Sequence, residues 1–170
     1  LYELRRNGVA QAIIRAHKEG KTVIGICGGF QMLGQTVADP DGVEGSMPQL
    51  PGLGLLDTTT VMKHDKVTKQ VSFRFNGAEC KGYEIHQGDT VYSEQSDKAG
   101  GKTEKVVMAE HCIGTYIHGF LDNGAVIDFI LEPYSKGKHN VKTESVEEFK
   151  NRQYDLLASH VRKYVDIDRL

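Results

Sequence analysis

The order of signals along the 170 residues predicts an α/β domain with a mixed sheet. Three observations carry this reading. The opening phrase "LYELRRNGVAQAIIRAHKEG" has helical spacing, "TVIGI" is an apolar, β-rich run without polar alternation, and from Leu55 to Ile117 short apolar stretches are broken by polar turns before a helical pattern returns. The length fits one domain able to bury its own core.

Asn7 and Gly8 make a turn, after which Val9, Ala12, Ile13 and Ala16 recur at helical spacing and Gly20 stands where a C-terminal cap belongs. Thr22 to Ile26 suits a strand covered on both faces, with a second helix starting just after Cys27. Residues 38–54 hold three of the four prolines among several glycines and predict a long surface loop.

Strand signals follow in "LLDTTTVM", "KQVSFRF", "CKGYEIH", "TVYS", "KVVMAE" and "CIGTYIH", with "SEQSDKAGGKTEK" as an exposed hairpin tip or loop. Ala125 to Leu131 predicts a short helix. Ser145-x-x-Glu148 forms a capping box for a longer one, striped by Phe149, Leu156, Leu157, Val161 and Tyr164. There is no internal repeat.

Charge and composition exclude several function classes. The 21 basic and 23 acidic residues are mixed along the chain and give a net charge of −2, so no basic stripe exists for nucleic acid. Apolar runs fall far short of the roughly 20 residues needed to cross a bilayer, which predicts a soluble, cytoplasmic protein with no membrane partner. Three cysteines, Cys27, Cys80 and Cys112, without C-x-x-C spacing predict neither a disulfide framework nor a metal site. The first residue is Leu1 within a helical phrase, which predicts a piece of a longer protein.

The most specific stretch is "VIGICGGFQMLG". Gly25-Ile26-Cys27-Gly28-Gly29 has the G-x-nucleophile-x-G form of a nucleophile elbow, where a sharp strand-to-helix turn exposes the side chain at its apex. The first amides and positive dipole end of the next helix would favour a thiolate there. The Gly28 amide would face the same space as an oxyanion donor, a contribution typically worth about a hundredfold or more in rate. The competing reading makes Cys27 a small buried hydrophobe; the flanking glycines favour the nucleophile.

Such a cysteine needs a general base, and seven histidines compete. His17, His64, His139 and His160 lie in polar or charged phrases. His86 in "GYEIHQG" and His118 in "GTYIHG" each end a predicted strand, where open α/β sheets gather their chemistry. Spacing does not separate these two.

Taken together, "GICGGFQMLG", "DPDGVEG", "GLGLL", "GYEIHQG", "GTYIHGF" and "NRQYDLLASHVRKYVD" resemble the glutamine amidotransferase domain of the cobyric acid synthase family, from about the first helix to the C-terminus. The Cys27 segment also matches the broader class I amidotransferase pattern G-x-C-x-G-x-Q, with Gln31 in its last place. The resemblance implies a class I glutamine amidotransferase-like, flavodoxin-like three-layer domain with a mixed, mostly parallel sheet over residues 1–170. It implies Cys27 as nucleophile, His118 as base, Gly28 in the oxyanion hole, and Gln31 and Glu44 as glutamine-binding residues. His86 becomes a bracing residue, and Cys80 and Cys112 core residues.

The implied reaction is hydrolysis of glutamine to supply ammonia for amidating side-chain carboxylates of adenosylcobyrinic acid a,c-diamide in cobalamin biosynthesis. No cofactor is expected in this domain. ATP, Mg²⁺ and the corrinoid acceptor would belong to an N-terminal synthetase domain that, with the first strands, is not in the chain. Many class I members carry a glutamate two residues after the histidine, but here that position is Phe120 and the next carboxylate is Asp122. A Cys-His dyad is therefore expected. Two alternatives stay open: a glutaminase subunit that supplies ammonia for peptidoglycan precursors, and a non-catalytic docking domain.

Overall fold

The computed structural model describes residues 1–92, 105–135 and 146–166. The expected hairpin tip at "SEQSDKAGGKTEK" falls almost wholly outside them, as does Ser145 of the capping box. The chain divides into two compact units, Leu1–Gly119 and Phe120–Leu170.

The first unit opens with helices α1 (Tyr2–Arg6) and α2 (Val9–Lys18). Gly8, at φ 84°, turns the chain between them, and the Asn7 side chain accepts the Val9 amide at 3.1 Å. Gly20, at φ 76°, ends α2 in a Schellman arrangement: the Lys21 amide reaches Ala16 O at 3.0 Å and the Gly20 amide reaches His17 O at 2.9 Å. The inward face is Ala10, buried, with Ile13 and Ile14 partly buried, so that Ile13 keeps its expected place while Val9 is left 41% exposed. Alanine and valine at neighbouring positions satisfy either phase, and only the packing partner decides.

Strand β1 (Val23–Ile26) leads through Cys27 into α3 (Gly28–Leu33), as expected. Short strands β2 (Thr36–Ala38) and β3 (Gln49–Pro51) pair antiparallel, so the expected loop closes as a hairpin around residues 39–48.

Two long strands follow, β4 (Thr58–Phe75) and β5 (Ala78–Tyr92). They are joined by the two-residue turn Asn76-Gly77 with φ 47° and 82°, the signature of a type I′ hairpin. Their register breaks once: Met62 opposes Gly88 and Val67 opposes His86, leaving residues 63–66 as an excursion. Thr58, Thr60 and Met62 face inward before it, and Val71, Phe73 and Phe75 after it, whereas β5 buries Cys80, Glu84 and Gly88 in unbroken alternation. An excursion of four residues opposite one is what switches the phase of β4 alone.

Strands β6 (Val106–Ala109), β7 (Cys112–Thr115) and β8 (Ile117–His118) complete the first unit. Among the described residues there are two sheets, in the orders β1-β7-β6 and β3-β2-β4-β5-β8. They are mixed, as expected, but only β1–β7 and β2–β4 pair parallel, so the expected mostly parallel character is reversed. The β4–β5 hairpin accounts for much of the antiparallel pairing.

Ala10, Phe30, Leu33, Leu53, Leu56, Val107 and Cys112 form a buried cluster beneath α3 and β7. Phe30 and Cys112 are 1% and 0% exposed, so α3 and the end of the parallel strand pair are fixed from below.

The second unit contains a 3-10 turn at Phe120–Asp122, helix α4 (Gly124–Leu131), another 3-10 turn at Glu132–Tyr134, and helix α5 (Val146–Tyr164). On α5 the stripe residues Phe149, Leu156, Leu157, Val161 and Tyr164 are all exposed. No helix among the described residues is long and apolar enough to cross a membrane.

Candidate active site

Cys27 has φ 54° and ψ −116°, a conformation L-residues rarely hold, at the junction of β1 and α3. Such a residue typically stores about 1–3 kcal/mol of strain and persists only where its surroundings over-determine it. Here its amide donates to Thr115 O at 2.9 Å and its carbonyl accepts the Gln31 amide at 3.2 Å. Gly25 is pressed against the other side of the bend. A Cβ there would lie 2.5 Å from Leu33 Cδ1 and 2.7 Å from the backbone carbon of Gly29. Gly28 and Gly29 are different, since a Cβ on either meets nothing within 4 Å. Packing thus requires Gly25, while Gly28 and Gly29 leave open backbone beside the sulfur.

The thiol donates to the carbonyl oxygen of Ile85 on β5, at 3.3 Å. His118, at the end of β8, pairs with Tyr83 of β5, two residues before Ile85. Their rings stack with centroids 5.1 Å apart and planes 9° from parallel. His118 Nε2 is buried and has no hydrogen-bond partner among the described residues. The nucleophile and base candidates therefore both come to the stretch Tyr83–Ile85.

His86 was expected at a strand end but lies inside β5. Its Nδ1 lies 2.8 Å from Gly88 O, and its ring stacks on Tyr116 with centroids 3.8 Å apart. Its Nε2 is 3.8 Å from Glu84 Oε2. Engaged on both edges and one face, it braces the inner side of the hairpin. Glu84 itself is 7% exposed and held by Lys69 Nζ at 3.0 Å and Lys105 Nζ at 3.2 Å. Burial pushes its carboxyl up, but the hydrogen bonds and charges of the two lysines outweigh this and hold it below the ordinary glutamate value.

A pocket of about 300 Å³ adjoins the elbow, lined by Gly28 and Gln31 on one side and by Asp39, Glu44 and Ser46 on another. The loop is organised by Asp39, whose carboxylate accepts the amides of Val43, Glu44 and Gly45 at 2.7, 2.9 and 2.9 Å. The Glu44 amide does most to hold the Asp39 carboxyl below its ordinary range, against the opposing effect of burial. Gly28, Gln31 and Glu44 thus share one pocket. The neighbouring Asp39 was missed, although an aspartate before Pro-Asp-Gly is a turn-forming signal. Glu84 was legible only as a lone charge in an apolar strand.

Phe120, two residues after His118, is fully buried. Asp122 pairs with Lys150 at 3.2 Å. Burial pushes the Cys112 thiol up to about 12, and Cys80 is likewise raised by burial. Among the described residues no cluster of three or more His, Cys, Asp or Glu side chains could hold a metal ion.

The sequence model of the CobB/CobQ-like glutamine amidotransferase domain matches residues 1–126. The chain belongs to this family. Relatives of the CobB/CobQ-like domain include the cobyric acid synthase of Bacteroides fragilis, 53% identical over 98% of this chain and 35% of its own length. That of Phocaeicola vulgatus is 49% identical over 100% of this chain and 36% of its own. The chain thus spans about a third of the length of these relatives. A solved glutamine amidotransferase structure superposes with a TM-score of 0.53 over 76% of this chain and 69% of its own, at 16% identity. That likeness establishes the amidotransferase fold.

Proposed function

We propose that this chain is the glutamine-hydrolysing part of a cobyric acid synthase, with Cys27 as nucleophile and His118 as its general base and acid. The observation that supports this most is the convergence on β5, where the Cys27 sulfur meets Ile85 O and His118 pairs with Tyr83. The two candidates thus reach neighbouring positions of one strand, Ile85 and Tyr83, from different elements of the fold.

In this reading Cys27 gives its proton to His118 and its sulfur bonds to the side-chain amide carbon of glutamine. The C–N bond breaks as His118 returns the proton to the leaving nitrogen, so that ammonia departs. Water, deprotonated by His118, then cleaves the thioester to glutamate and restores the thiol. The Gly28 amide, in the first turn of α3 where N–H groups lack intrahelical acceptors, stabilises the oxyanion of both steps. Gln31 and Glu44 hold the substrate's polar ends.

The acceptor half of the reaction is assigned to the rest of the longer protein. There ATP and Mg²⁺ would activate side-chain carboxylates of adenosylcobyrinic acid a,c-diamide for attack by the ammonia.

The test is glutamine turnover by the intact protein. Cys27→Ala should abolish it, and His118→Ala should lower kcat by about a hundredfold or more. Undiminished ammonia release from the cysteine variant rejects the assignment. Amidation of a peptidoglycan precursor in place of the corrinoid would move the domain to the other ammonia-supplying pathway.

A further inference from the structure

We infer that Tyr116 is a positioning residue for the donor amino acid: its hydroxyl fixes the Gln31 amide so that Oε1, and not Nε2, faces the pocket as an acceptor for an N–H of glutamine. This rests on the glutamine reading above and extends it to the residue behind the pocket wall.

Gln31 is 7% exposed and lines the pocket, and its Nε2 donates to the Tyr116 hydroxyl at 3.3 Å. The Tyr116 oxygen lies 2.6 Å from Thr90 Oγ1, which lies 2.8 Å from Thr60 Oγ1. Three hydroxyls thus form a chain, Tyr116 to Thr90 to Thr60, each with one hydrogen to give and lone pairs to receive. In the direction that suits the Gln31 amide nitrogen, the phenol gives its hydrogen to Thr90 across the 2.6 Å contact and Thr90 gives its own to Thr60. Tyr116 is left with only a lone pair to offer Gln31, so an amide nitrogen fits there and an amide oxygen does not. Burial raises the phenol's pKa, so this hydroxyl stays protonated near neutral pH.

The ring of Tyr116 is pinned independently of its hydroxyl. His86 stacks on it with planes 15° from parallel, and Phe30 meets it edge-on, with planes 76° apart and centroids 5.1 Å apart. Gly88 supplies the space for this assembly, because a Cβ there would collide with Gln31 Nε2 and lie 2.8 Å from the Tyr116 hydroxyl. Packing and hydrogen bonding can therefore be separated: Tyr116→Phe keeps the stack and removes the lone pair.

The experiment is steady-state glutamine hydrolysis by the intact protein carrying Tyr116→Phe, Thr90→Val, Gln31→Ala, and Tyr116→Phe with Gln31→Ala. Tyr116→Phe should raise KM for glutamine about tenfold with kcat within about twofold, the loss expected for one directed hydrogen bond. Thr90→Val should act in the same direction, because it frees the phenol hydrogen to turn toward Gln31. On the Gln31→Ala background, Tyr116→Phe should add nothing. Unchanged KM in both single variants, a loss confined to kcat, or an undiminished KM effect in the double variant overturns the inference.

Labelling of Cys27 by 6-diazo-5-oxo-L-norleucine separates the two levels. A wild type that is neither labelled nor able to hydrolyse glutamine sinks the glutamine reading and this inference with it. A labelled, active wild type beside an unaffected Tyr116→Phe sinks this inference alone.

Discussion

Tyr83 and His118 face one another across the β5–β8 pair with nearly parallel rings, although Tyr83 is 41% exposed. With no carboxylate two residues after the histidine, this aromatic plane is what the structure offers to limit the imidazole's rotation. Under the proposed role of His118, Tyr83→Ala should lower kcat for glutamine hydrolysis about tenfold with little change in KM, since a misplaced base loses orientation but not substrate affinity. Tyr83→Phe should retain most activity. Equal kcat in the alanine variant would show that the stack does not position the base.

Glu84 makes stability depend on acidity in a definite direction. Its folded value is lowered below the ordinary 4.5, so its contribution is full above that value and disappears as pH falls through the folded one. Glu84→Gln should cost about 1–2 kcal/mol at neutral pH, a figure reduced because Lys69 is partly exposed. Urea unfolding of both proteins should show this gap narrowing as pH is lowered below the ordinary glutamate value. A gap that stays constant with pH would deny the carboxylate its ionic role.

The three thiols should separate by reactivity. Cys80 and Cys112 are buried and their ionisation is pushed up, whereas Cys27 is partly accessible at the elbow. Brief alkylation of the native protein at mildly alkaline pH, mapped by peptide mass, should modify Cys27 alone. All three should react in denaturant. Native labelling of Cys112 at a comparable rate would contradict its burial.

Gly25→Ala tests the elbow's packing. The added methyl would press on the backbone of Gly29, which cannot yield as a flexible side chain can. A cost of about 1–3 kcal/mol is expected, seen as a lowered melting temperature together with reduced glutaminase activity. Gly28→Ala meets open space and should melt close to wild type. Matching melting curves for Gly25→Ala and wild type would mean the bend relaxes freely.

The elbow was legible because its grammar is local: a β-rich run, a cysteine and two glycines within a few residues. The ends of α2 and the short α4 were legible for the same reason. What eluded the sequence depends on distant partners. The four-residue excursion in β4 breaks the period-two alternation, so "LLDTTTVM" and "KQVSFRF" read as separate strands when they are parts of one. His86 looked like a strand end because the small Gly88 follows it, yet Gly88 serves to make room for Gln31 and Tyr116. The hydroxyl chain of Thr60, Thr90 and Tyr116 joins β4, β5 and the bend between β7 and β8, and no spacing rule connects them.

The Asn76-Gly77 turn sets the phase of everything that β5 presents. Since side chains alternate at every step, one residue inserted at that tip would turn Glu84, His86 and Thr90 outward and bring Tyr83 and Ile85 inward. The chemistry beside Cys27 would then be dismantled by a change touching none of its members. A bend far along the ribbon thus acts as its reading frame.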